Sequence, residues 1–101
     1  MTIKKINNAN QMTFTLTGRL DAVTSPQFEA ELIPECENAK TIILDFKDVD
    51  YVSSAGLRVL LAGEKKSKSN GGKMFLTNVS DEVMEVLELT GFSNILNIIA
   101  N

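Results

Sequence analysis

Among its 101 residues the sequence has no histidine, no tryptophan, a single cysteine and two prolines. Without histidine, the Ser-His and Cys-His pairings that activate a nucleophile cannot form, and the metal-ligand spacings built on Cys and His are excluded with them. Cys36 alone permits no internal disulfide and reads as a small, partly buried helix residue. No apolar run approaches the roughly 20 residues that cross a bilayer. The polar stretch from Met1 to Gln11 lacks the apolar centre of a signal peptide, so the expected location is the cytoplasm. Positive charge is also scarce: 10 Lys and Arg against 13 Asp and Glu leave a net charge of -3. This weighs against nucleic acid or an anionic membrane as direct partner. The only basic cluster, Lys65, Lys66 and Lys68, falls late on an expected helix, where positive charge suits the dipole. A protein partner fits better.

What is present has the composition of an ordinary folded chain, 44% hydrophobic and 23% charged, of a length that suits one domain over residues 1–101. The chain is organised around Thr41 to Leu61. Thr41 to Phe46 is a short β-branched run that reads as a strand buried on both faces. Asp48, Asp50, Ser53 and Ser54 then mark a loop, and Leu57, Leu60 and Leu61 follow at helical spacing, with Ser53 or Ser54 at the N-cap. Upstream, Thr2 to Asn7 and Met12 to Thr17 predict a hairpin turning at Asn8-Ala9-Asn10, with Met12, Phe14 and Leu16 on one face. Thr24 or Ser25 opens a helix to about Asn38 with Phe28, Leu32 and Cys36 inward, and Pro34 predicts a kink or break near Ile33. Downstream, Ser69-Asn70-Gly71-Gly72 stops the central helix, and Lys73 to Asn78 is a strand. Ser80 caps a helix with Val83, Val86, Leu87 and Thr90 inward, ended by Gly91, and Ile95 to Ile99 is a last strand. The order predicts an α/β fold: a mixed, mostly parallel sheet of about five strands with helices packed against it.

In such sheets, ligands and partners gather at the carboxyl ends of parallel strands, where helix N-termini point. Ser54 belongs there, with Asp21, Asp48 and Asp50 opening onto the same edge. A phosphate on Ser54 would meet backbone N–H groups already aimed at it. The plainer role for Ser53 and Ser54 is N-capping. Gly56 either lets another backbone approach the serine or serves close helix-sheet packing. Asp21 either meets a partner or caps the helix after it. Gly71-Gly72-Lys73-Met74 lacks both the spacing and the hydroxyl of a phosphate-binding loop. Asp45, Asp48 and Asp50 are crowded into one segment and read as turn caps, not as the magnesium site of a receiver domain. No catalytic residues, cofactor or metal are expected, and the chain is not read as an enzyme.

Gly18-Arg19-Leu20-Asp21, Ile43-Leu44-Asp45-Phe46 and the run Tyr51-Val52-Ser53-Ser54-Ala55-Gly56-Leu57-Arg58-Val59-Leu60-Leu61 together resemble the STAS domain of bacterial anti-sigma factor antagonists. The likeness extends through Gly71-Gly72 to Leu89-Thr90-Gly91-Phe92. The resemblance implies a phospho-switched binder, monomeric when free. Unphosphorylated, it holds an anti-sigma factor that is a GHKL-type serine kinase, which frees the sigma factor for transcription. The kinase then phosphorylates the acceptor and lets go, and a PP2C-type phosphatase resets it. Matching the motif places the acceptor at Ser54, with Ser53 a second candidate, and places Asp21, Ser53, Gly56, Leu57 and Arg58 on the partner surface. Ser53 stands where the family often has Asp, and Ala55 where it often has Ser or Thr. The C-terminal helix common in the family is expected to be missing or vestigial, leaving one side of the sheet exposed. The rival implied reading is a non-switched STAS subunit of a transporter or stress-signalling complex.

Overall fold

The opening hairpin forms where alternation predicts it, in a computed structural model that describes residues 1–100. Strands β1 (Thr2–Asn8) and β2 (Gln11–Leu20) pair antiparallel, with Ile3 opposite Leu16 and Lys5 opposite Phe14. The chain reverses through Ala9 and Asn10, Ala9 taking the left-handed φ of 58°. Helix α1 (Ser25–Asn38) follows with Pro26 in its first turn and with Phe28, Leu32 and Cys36 fully buried. Cys36 is thus deeper than expected, and burial raises its thiol pKa.

Pro34 does not break α1, contrary to expectation. The carbonyl that its missing N–H leaves unpaired belongs to Ala30, four residues earlier, and both residues lie on the solvent side, where water can replace the bond. The Asn38 side chain also donates to the Pro34 carbonyl at 2.9 Å, tying down the last turn.

The larger departure is β3, which runs from Thr41 to Val52, through the segment expected to be loop. It pairs parallel with β2 to the end of both, and two register shifts absorb its extra residues: Thr15 faces Asp45 but Thr17 faces Asp48, and Gly18 faces Val49 but Arg19 faces Tyr51. These are β-bulges. Only one face of β3 is fully covered: Ile42, Leu44 and Phe46 are buried, whereas Thr41, Ile43 and Asp45 are partly exposed.

Helix α2 (Ser54–Ser69) ends at Asn70 and Gly71, whose φ of 74° is the left-handed stop that glycine permits. Strand β4 (Lys73–Thr77) and helix α3 (Asp81–Leu89) follow, with Val83 and Leu87 buried but Thr90 exposed, outside the stripe assigned to it. Gly91, at φ 82°, then leads into a 3-10 turn, Phe92–Asn94. The Phe92 carbonyl accepts from both Ile95 and Leu96, so strand β5 cannot begin before Asn97 and spans only Asn97–Ile98. The buried Glu64 carboxylate on α2 anchors that strand, accepting from the Asn97 side chain at 3.2 Å and facing Lys68 at 3.7 Å.

The sheet order is β1-β2-β3-β4-β5, parallel throughout after the first pair. Strands that advance in one direction, joined by right-handed crossovers, put every connecting helix on the same face. The core lies there, between Phe14, Leu16, Leu44 and Leu76 on the sheet and Phe28, Leu60 and Leu87 on the helices. The same monotonic order has no point where the strand sequence reverses. It therefore lacks the crevice in which doubly wound sheets hold small ligands. Among the described residues no helix is long and apolar enough to cross a membrane.

Candidate functional site

β2 and β3 finish together. The Ser53 N–H donates to the Leu20 carbonyl at 2.9 Å, which fixes the start of α2 against the end of β2. Gly56 makes this approach possible: a Cβ there would stand 2.8 Å from both the Leu20 carbonyl oxygen and its Cγ. Gly56 is buried and Leu57 is 6% exposed. Their expected place on a partner surface is corrected accordingly, since their atoms are spent on packing the helix onto the sheet.

The two serines separate by role. Ser53 is the N-cap, its hydroxyl accepting from the Gly56 N–H at 3.4 Å. Ser54 is the first helical residue and is exposed, so its hydroxyl stands outside the cap at the positive end of a 16-residue helix. The N-cap position left open between them thus falls to Ser53.

Asp21 is built into the turn between β2 and α1. Its Oδ1 accepts from the Val23 N–H at 3.0 Å and the Thr24 N–H at 3.1 Å, while its own N–H donates to the Thr24 hydroxyl at 3.0 Å. The single Thr24 hydroxyl proton goes to the Arg19 carbonyl at 2.7 Å. The Thr24 backbone N–H is the chief reason that the Asp21 pKa lies below its ordinary value, desolvation opposing and the Val23 N–H and Arg19 adding to the lowering. The other carboxylate oxygen lies 3.7 Å from the Arg19 Nε, and the Arg19 guanidinium sits 4.1 Å from the centre of the Tyr51 ring. Asp21 thus makes the cap bonds weighed as its plainer role, and its other oxygen faces Arg19.

Around these groups the edge is low and open. Val23 is 86% exposed at the tip of the turn, and Tyr51 is exposed beside Arg19. A cleft of about 250 Å³ separates Ser25, Pro26 and Glu29 from Ala55, Arg58 and Val59. Arg58 is exposed and makes no ion pair among the described residues. Arg19 and Tyr51 stood in the motif, but their stacking carried no signal in the sequence, because only the bulges set Arg19 opposite Tyr51. Asp45, Asp48 and Asp50 lie within β3 and not in the turn expected for them; Asp45 accepts from the Lys47 N–H at the first bulge and from the Asn78 side chain, and no cluster of metal-ligating side chains occurs among the described residues. Lys66 and Lys68 are occupied by Glu37 and Glu64 at the far end of α2.

The chain matches the STAS domain model over residues 1–101. It is 30% identical over 93 residues to the anti-sigma-B factor antagonist of Bacillus subtilis, covering 92% of this chain and 85% of that one. Its fold superposes on SpoIIAA, an anti-sigma factor antagonist, in the unphosphorylated form with a TM-score of 0.83 at 19% identity, covering 99% and 90% of the two chains. The phosphorylated form of SpoIIAA, from Bacillus, gives 0.76 at 18% identity, covering 99% and 93%. Single-domain match, motif residues at the C-terminal strand edge and a one-sided five-strand sheet agree: this chain belongs to the STAS domain family.

Proposed function

We propose that the protein is an anti-sigma factor antagonist that works by partner switching in the cytoplasm, as a regulatory binder and not a catalyst. In its unphosphorylated form the edge made by Asp21, Val23, Ser53, Ser54 and Arg58 engages an anti-sigma factor, a GHKL-type serine kinase. The kinase moves the γ-phosphoryl group of ATP to the Ser54 hydroxyl oxygen, releasing ADP and a proton, and the complex dissociates. A PP2C-type phosphatase restores the hydroxyl by hydrolysis. The observation that carries this reading is the division of labour between the serines: Ser53 caps α2, so Ser54 is exposed at the helix start and free to be modified. The relative named an anti-sigma-B factor antagonist supports the partner class. The absence of a crevice at a strand-order reversal favours a protein surface over a small ligand.

The physical basis of release is local. A phosphate brings roughly -1.5 to -2 charges and three acceptor oxygens, which the helix N-terminus tolerates. A partner packed against a neutral serine must bury an unpaired dianion or withdraw. A penalty of about 3 kcal/mol weakens binding roughly a hundredfold, within the range for a mismatched buried charge. The free Ser54 hydroxyl favours this reading over a non-switched subunit of a transporter or stress-signalling complex. The test is a comparison of wild type and Ser54→Asp as baits, followed by Mg-ATP addition and phosphosite mapping. The expected result is a GHKL-type kinase held by wild type and not by Ser54→Asp, with label on Ser54. Label on Ser53, or on neither serine, overturns the assignment.

A further inference from the structure

Arg58 is the cation at the start of α2 that nothing else uses. Arg19, at the same edge, is committed to Asp21 and Tyr51, and Lys66 and Lys68 pair with carboxylates at the opposite end of the helix. Arg58 follows Ser54 by four residues, so the two stand on one helix face with Cβ atoms about 5–6 Å apart. Helical side chains lean toward the N-terminus, which carries Arg58 back over the turn that Ser54 begins. The cleft that Arg58 lines also contains Ser25, 3% exposed, whose hydroxyl has no hydrogen-bond partner. Glu29 in the same cleft is exposed and does not pair with Arg58.

We propose that Arg58 is a clamp for a phosphoryl group carried by Ser54 of the same chain, resting on the reading of Ser54 as the modified residue. The guanidinium fork presents two parallel N–H groups to two phosphate oxygens, a match that a lysine ammonium does not offer. Unphosphorylated, Arg58 is free to meet an acidic group on the partner. Phosphorylated, it is drawn to its own helix start, so one modification adds a dianion to the surface and removes a cation from it.

The test uses the 101-residue chain with phosphoserine installed at position 54 during translation, so that no kinase is needed. Phosphorus NMR follows the second phosphate ionisation, and nitrogen-proton spectra follow the Arg58 Nε–H. The expected midpoint in wild type lies lower than in Arg58→Gln by about half a pH unit or more. Lys65→Gln, which removes a cation further along α2, leaves it in place, and the Arg58 Nε–H signal moves on phosphorylation. Equal midpoints in wild type and Arg58→Gln overturn the proposal, as does an equal effect of Lys65→Gln or an unmoved Arg58 signal. Inorganic phosphate titrated into unmodified protein is expected to leave the Arg58 signal in place. A matching shift there would make this a site for free anions and overturn the clamp in cis. A kinase that labels another residue overturns the proposed function and leaves this titration standing.

Discussion

Helices α2 and α3 begin in the same way and are charged differently. Each follows a strand, each is capped by a serine whose hydroxyl accepts from the N–H three residues on, and each presents its next residue to solvent. At α3 that next residue is Asp81, followed by Glu82, so the positive end of the helix carries its own counter-charge. At α2 it is Ser54, followed by Ala55, and no acid occupies the first turn. The third position differs too: Val83 fills space under α3, while Gly56 leaves none between α2 and Leu20. One helix start is electrostatically finished. The other is pressed tightly onto the sheet and left neutral, which is the condition a removable negative charge requires.

The largest effect expected from breaking this contrast is at the third position. Gly56→Ala sets a methyl group against the Leu20 carbonyl, a backbone atom that cannot swing aside. Overpacking of up to about 3 kcal/mol, offset by about 1 kcal/mol of helix propensity, leaves a loss near 2 kcal/mol, to be read from urea unfolding. Next come the caps. Ser80→Ala is expected to cost about 1 kcal/mol, and Ser53→Ala less, because its cap bond is longer, 3.4 Å against 3.2 Å. Equal losses in the two variants would show that the difference in length has no energetic weight.

A smaller effect comes from exchanging the charges. Ser54→Asp is expected to stabilise the fold by about 0.5 kcal/mol at low salt and Asp81→Ser to destabilise it by a similar amount, both fading as salt is added. An Asp at position 54 that destabilises the fold would contradict the view that α2 tolerates a phosphate. The mildest test is acid titration of Asp21. Its folded pKa lies below the ordinary 3.8, so its contribution is present above that value and is lost as pH falls through the folded one. Asp21→Asn is expected to flatten thermal stability over that acid window and to leave it unchanged in shape near neutrality.

The elements with unbroken periodicity were legible in the sequence. Met12, Phe14 and Leu16 alternate, and Phe28, Leu32 and Cys36 repeat every fourth residue, so β2 and α1 are readable from residue type alone. The far half of β3 was not, because its buried residues Phe46, Val49 and Val52 stand three apart. Each bulge adds one residue and turns a period of two into three, which from sequence reads as loop or helix. Pro34 misled for another reason: its cost depends on whether solvent reaches the orphaned carbonyl, a tertiary fact. At the candidate site, Ser54 is singled out by its motif, but which serine caps the helix depends on one backbone turn. Gly56 stays ambiguous because a packing glycine and an approach glycine are the same letter, and the motif resemblance places Leu57 on the partner surface although its helical spacing points inward.

The two bulges also give the chain a tolerance in length. Opposite the 10 residues of β2, β3 spends 12, and the pair of extra residues brings Val52 level with Leu20 and the Ser53 N–H onto the Leu20 carbonyl. A lineage that deletes one residue at either bulge turns a spacing of three back into two, so the strand loses the bulge while Val52 and the serine pair keep their facing. Deleting both extra residues leaves 10 residues opposite 10, a regular ladder in which the residue after the Leu20 partner still meets the Leu20 carbonyl. Single-residue insertions and deletions in this stretch are thus taken up as bulges gained or lost, and the address at which Ser54 is displayed survives a change in strand length.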